Sequence, residues 1–144
     1  MSESERVPVT GGTAGVSIVA ADSIATVPAT ATLQDVAEEL VKDEVGLLVV
    51  GSRRDVKGVV SERDLVRAMA AGKDPTTTLV ADVASSRLVW CDSTATIREA
   101  AGLMMEEYVR HVLLERDGHL VGIVSARDLL GAYVANADTD ADAD

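Results

Sequence analysis

The sequence predicts an α/β (α+β) protein built from two β-α-β-β-α repeats, and three observations carry that prediction. The first is repetition. GVVSERDL, Gly58 to Leu65, returns sixty-four residues later as GIVSARDL, Gly122 to Leu129. At the same offset, without a gap, Thr30-Ala31-Thr32 meets Thr94-Ala95-Thr96, Ala37 meets Ala101 and Val45 meets Val109. Matches spread over half a chain at one fixed offset define a tandem duplication. The second observation is that the apolar pattern switches between helical and strand-like spacing in the same order in each half. The third is composition: 47% of the residues are apolar, only 2% are aromatic and there is no Phe. The core must therefore come from Val, Leu, Ile, Ala and Met, which suits helices layered on sheets.

Each element follows from local signals. An opening strand is expected near Ser23–Val27, and its counterpart near Arg87–Cys91. After Thr32, apolar residues recur at Leu33, Val36, Ala37, Leu40 and Val41, one stripe of a helix. Thr32 with Asp35, and Thr96 with Glu99, have the spacing in which a hydroxyl caps the first turn and an acid faces the helix N-terminus. GLLVV at Gly46–Val50 and HVLLE at His111–Glu115 are short, β-branched and leucine-rich, as buried strands are. The chain then turns, through Asp117-Gly118 in the second half, a strong hairpin signal, and through the less specific Ser52-Arg53-Arg54-Asp55 in the first. VKGVV and LVGIV return as partner strands. Ser61 and Ser125 open second helices, over Leu65–Ala70 and Leu129–Val134, the first stopping before Gly72 and Pro75. The expected organisation is a flexible arm over 1–15, a first repeat over 16–71, a linker over 72–78, a second repeat over 79–135 and an acidic disordered tail over 136–144.

Composition also excludes function classes. At 144 residues the chain has room for one globular body. Its single cysteine, Cys91, has no partner for an internal disulfide and no second thiol or paired histidines at metal-ligand spacing, so no metal site is expected. The acidic start MSESERVPV lacks a secretory h-region, and no apolar run approaches the roughly 18 residues of a membrane span, which points to a cytoplasmic protein without membrane association. The net charge of −11 opposes affinity for nucleic-acid phosphates. Ten Arg against three Lys and the ending NADTDADAD give the chain a halophilic character. TGGTAG at Thr10–Gly15 lacks the following Lys and hydroxyl of a phosphate loop. Cys91 with either histidine has no orienting third group, so catalysis is not expected.

The β-α-β-β-α plan, with G-hydrophobic-hydrophobic-S-x-R-D at the last strand-to-helix junction, resembles the CBS domain, named after cystathionine β-synthase. The resemblance covers roughly Val16–Ala71 and Leu79–Ala135. It implies a Bateman module, two repeats packed sheet to sheet with pseudo-twofold symmetry, and two related clefts between the repeats that hold adenosine-containing ligands. It further implies association through the helices into a disc-shaped homodimer, to which the stripes around Val36, Leu40, Met104 and Met105 are expected to contribute.

The resemblance also assigns roles. Asp64 and Asp128 take the place of the acid that accepts both ribose hydroxyls. Ser61 and Ser125 stand where a hydroxyl lies near sugar or phosphate. Ser23 and Ala25 in the first repeat, and Val89 in the second, fall in the segment whose backbone reads adenine. Arg110-His111 matches a basic pair that meets phosphate. From the residues alone, S-x-x-D is equally a helix-capping box, Arg63 and Arg127 either meet phosphate or face solvent, and His111 is either a ligand residue or a half-buried strand-end histidine. His119, in a turn, is expected to be exposed, and Met104 and Met105 to fill core or interface. The implied function is that of a stand-alone sensor for AMP, ATP or a related adenosyl compound, signalling to an effector protein not identifiable from the chain and needing no cofactor. The alternative is a ligand-free CBS scaffold.

Overall fold

The computed structural model of the chain describes residues 14–18 and 24–132. They form two compact units, one of residues 24–88 and one of residues 14–18 with 89–132. Each unit holds one three-stranded sheet and two α-helices.

The first unit runs β1 (Thr26–Val27), α1 (Leu33–Asp43), β2 (Leu47–Gly51), β3 (Val56–Ser61), α2 (Glu62–Ala70) and a short 3-10 turn at Val80–Asp82. β2 is central, parallel to β1 and antiparallel to β3, with Val49 opposite Val59 and Leu47 opposite Ser61. α1 starts where the hydroxyl signal placed it: the Thr32 side chain accepts from the Asp35 N–H, and Asp35 accepts in return from the Thr32 N–H. Val36 and Leu40 from its apolar stripe, with Val27, Leu48, Val50 and Val60 from the sheet, make the core. Fully burying one such side chain is worth about 1.5–3 kcal/mol.

The second unit repeats the plan with β4 (Trp90–Asp92), α3 (Ile97–Glu107), β5 (His111–Arg116), β6 (His119–Ser125) and α4, described over 126–132. β5 lies between parallel β4 and antiparallel β6, with Leu113 opposite Ile123 and His111 opposite Ser125. The hairpin turns at Asp117-Gly118, both with positive φ (53° and 78°), the backbone of a two-residue primed turn. Ile97, Ala100, Met104, Val112, Leu114, Val124 and Leu129 form its core.

Several expectations are corrected. The opening strands are shorter than expected, and the second helices begin directly after their serine, α2 at Glu62 rather than Leu65. Residues 79–88 pack with the first unit: Val80 is in its core, the Val80 N–H donates to the Ala31 C=O (2.7 Å), and Ser85 bridges to Val59. Conversely Ala14, expected in a flexible arm, is buried in the second core, where its C=O accepts from the Ile97 N–H (2.8 Å) and Val16 donates to the Ala95 C=O (2.8 Å). For Ala14 the physical reason is the helix start: the N–H groups of a first turn need partners, and a neighbouring segment supplies carbonyls. In the linker, Thr78 and Pro75 do the same for Leu33 and Gln34. Val36, Leu40 and Met104 are buried inside their own units, leaving Met105 alone of the expected interface set exposed. His119 is half-buried at the start of β6 rather than exposed. The acidic tail over 136–144 lies outside the described residues, as does the arm before residue 14.

Candidate functional site

The two GxVSxRDL segments fold alike, as a last strand running straight into a helix. Ser61 is the N-cap of α2: its Oγ accepts from the Asp64 N–H (3.2 Å), while Asp64 Oδ2 accepts from the Ser61 N–H (2.8 Å) and hydroxyl (3.0 Å). Ser125 and Asp128 repeat the box, with Oγ accepting from the Asp128 N–H (3.0 Å) and Oδ2 from the Ser125 N–H (3.2 Å). Capping is therefore real in both, and it occupies one carboxylate oxygen of each acid. The other oxygen of Asp64 has only the exposed Arg67 guanidinium at 3.9 Å. Among the described residues no protein hydrogen bond reaches Asp128 Oδ1. Each junction thus presents a part-buried carboxylate oxygen beside a helix N-terminus, an acceptor for hydroxyl donors next to amides that favour anions.

The repeated glycine of the motif has a structural role in the first unit. A Cβ at Gly58 would stand 2.8 Å from the Ser85 carbonyl oxygen, so the residue makes room for the returning segment that pairs with Val59.

Around the second junction the register gathers the other expected residues. His111 faces Ser125 across β5 and β6. Arg110, exposed, accepts the Ala126 N–H on its C=O (2.8 Å). Val89 is half-buried, and its C=O accepts from the Leu113 N–H (2.8 Å), two residues along β5 from His111. Arg127 projects from the exposed first turn of α4. Burial lowers the His111 pKa, the Asp128 carboxylate pulls it back up and Arg110 lowers it again, for a net fall below the ordinary 6.5. At neutral pH the expected basic pair is one cation, Arg110, and a neutral imidazole.

The first junction has Gly46-Leu47 in that place. Ala25 there matches Val89, half-buried with its C=O accepting from the Val49 N–H (3.0 Å), and Arg63 is exposed on the first turn of α2. Ser23 lies outside the described residues. Glu62 and Arg67, beside Asp64, were not among the expected site residues. The signal for them was available, since Glu62 inside the duplicated motif and Arg67 two residues past it stand where the halves differ in charge, Glu62 against Ala126 and Arg67 against Gly131.

A shallow cavity of about 430 Å³ lies elsewhere on the second unit, lined by Trp90, Cys91, Asp92, Thr94, Glu99 and Leu103 among others, and it contains none of the expected site residues. Burial, then the Asp92 and Glu99 charges, push the Cys91 thiol up, opposite to the shift that activates a cysteine. The Thr94 hydroxyl and N–H hold Asp92 below the usual carboxylate range. No helix among the described residues is long and apolar enough to cross a membrane.

Duplicated β-α-β-β-α units, each ending in a capped S-x-R-D junction, define a tandem α/β domain. The CBS-domain family model matches residues 17–71 and 80–135. The chain belongs to the CBS-domain family. It is 32% identical to hypoxic response protein 1 of Mycobacterium tuberculosis over 100 residues, 68% of this chain and 70% of that one. It is 31% identical to the CBS domain-containing protein YhcV of Bacillus subtilis over 114 residues, 78% and 81% of the two chains. Among solved structures it is similar to a CBS domain protein of Pyrobaculum aerophilum complexed with AMP, at 35% identity and a TM-score of 0.71, covering 86% of this chain and 98% of that one.

Proposed function

We propose that the chain is a non-catalytic regulatory module that binds an adenosine-containing ligand at the strand-to-helix junctions of its repeats and passes the bound state to a partner protein. The observation that carries this reading is the relative from Pyrobaculum aerophilum, complexed with AMP and alike over nearly the whole chain. The chemistry of the second junction supports it. Asp128 Oδ1 offers an acceptor to a ribose hydroxyl while Oδ2 keeps the cap, and Ser125, Arg110, Arg127 and the α4 N-terminus meet a phosphate. Val89 and His111 flank them, Val89 on the adenine side. In the first repeat Asp64, Ser61, Arg63 and Ala25 take the corresponding places, so the ribose-type chemistry is shared and the phosphate-type chemistry is not.

We also propose that the active form is a homodimer. The exposed apolar residues recur at equivalent positions of the two repeats, Val41 with Met105, each 78% exposed, and Val66 with Leu130, 63% and 66%. A second copy of the same chain is the occupant that matches a doubled apolar pattern, because an isologous interface uses one patch twice.

A thermal-shift series with AMP, ADP, ATP, NAD and S-adenosylmethionine in high-potassium buffer tests the ligand reading. A ligand bound only by the folded state at a hundred times its Kd stabilises by about 2.7 kcal/mol, a shift of several degrees for a chain of this size. At least one adenosyl compound is expected to give it. A flat series across all five would instead favour the ligand-free scaffold.

A further inference from the structure

The two junctions differ most sharply one residue past the cap. That residue is Glu62 in the first repeat and Ala126 in the second. Both start from the same local geometry, since the Glu62 N–H donates to the Gly46 C=O (3.0 Å) as the Ala126 N–H donates to the Arg110 C=O (2.8 Å). From there the Glu62 side chain turns toward Gly46, the residue just before β2. A Cβ built on Gly46 would stand 2.9 Å from Glu62 Oε1, so with glycine at 46 the exposed carboxylate can lie close against the backbone there. The second repeat has the converse arrangement, a cationic side chain on the strand at Arg110 and a methyl group on the helix at Ala126.

The charges facing each junction then differ in kind. The first has two carboxylates, Glu62 and Asp64, against Arg63 on the same turn and the exposed Arg67, 3.9 Å from Asp64. The second has one carboxylate, Asp128, against two cations, Arg110 and Arg127, with His111 neutral beside them. Building on the adenosine reading above, we propose that Glu62 is the specificity-determining residue of the first repeat. It selects against phosphate, so that the first site takes an adenosine-type ligand whose 5′ substituent is uncharged or cationic, while the second takes the phosphorylated one. Of the first-turn amides of α2, those of Glu62 and Asp64 already donate to the Gly46 C=O and the Ser61 Oγ, and the Glu62 carboxylate adds a negative charge on the same turn, where a helix start would otherwise favour an anion.

The test is calorimetry at low ionic strength with adenosine and AMP as the probes. Asp128→Asn weakens ribose recognition in the second repeat, and this variant is expected to bind adenosine more tightly than AMP. Adding Glu62→Gln removes one full charge near contact distance, and AMP affinity should rise about five- to tenfold while that for adenosine stays within about twofold. The reciprocal Ala126→Glu in the otherwise unchanged chain should lower AMP affinity by a similar factor, and added salt should shrink both effects. An AMP-to-adenosine ratio unmoved by either substitution overturns the proposal, as does loss of all binding on Asp128→Asn alone. Failure of the unchanged protein to bind either compound overturns the adenosine reading itself. Melting temperatures of all variants, expected within a few degrees of one another, separate selectivity from misfolding.

Discussion

At the scale of a single residue, His111 belongs to the proposed second site. Its ring is half-buried on β5 opposite Ser125, close enough to Asp128 for the carboxylate to raise its pKa against the larger lowering by burial. Because the folded value lies below that of the unfolded chain, unfolding takes up a proton as the solution is acidified. The stability linked to a neutral His111 is therefore present above about 6.5 and is lost as pH falls through the depressed folded value. An NMR titration of the imidazole should show a pKa below 6.5 that drops further in Asp128→Asn and rises when AMP is bound. A value indifferent to Asp128→Asn would contradict the proximity on which the site rests. Asp128 itself shows why capping and ligand binding need not compete, since one oxygen serves the Ser125 N–H and the other is left for a donor from outside.

At the scale of elements, capping explains both what the sequence revealed and what it hid. Thr32, Ser61, Thr96 and Ser125 each close a full capping box, so four helix starts were legible from hydroxyl-to-acid spacing alone. The strands were legible because Leu48, Val50, Val112 and Leu114 must be buried and their neighbours turn sharply. The company kept by segments without periodicity was not legible. Ala14–Val16 and Val80–Ser85 join their cores through backbone carbonyls and one or two small apolar side chains, a pairing that no local pattern encodes. The site was readable to a similar degree. The duplicated serine and aspartate announce themselves by repetition, and Arg110-His111 by its mismatch with Gly46-Leu47. The reach of Glu62 over Gly46 depends on the path of a side chain across a strand, which spacing cannot give. The neutrality of His111 depends on burial, which the residue's name does not carry. Two helix ends also carry non-glycine residues in the left-handed region, Glu44 (φ 53°) and Tyr108 (φ 57°), where a glycine signal would have marked the stop.

At the scale of the whole molecule, the duplication gives two junctions with one architecture and different charge. The same duplication doubles the apolar positions on the helices, and light scattering in high salt should return twice the chain mass at micromolar concentration. Replacing Met105 and Leu130 together by Glu should shift that mass toward the monomer, because buried like charges oppose an isologous contact. A monomeric mass for the unchanged chain would remove the dimer from the account. The central claim, that a carboxylate at the second junction recognises ribose, is tested most directly by calorimetry of AMP against Asp128→Asn. Asn caps a helix about as well as Asp but accepts less strongly, so affinity should fall by about 1.5–3 kcal/mol with little change in melting temperature. AMP binding of unchanged affinity in that variant would contradict it.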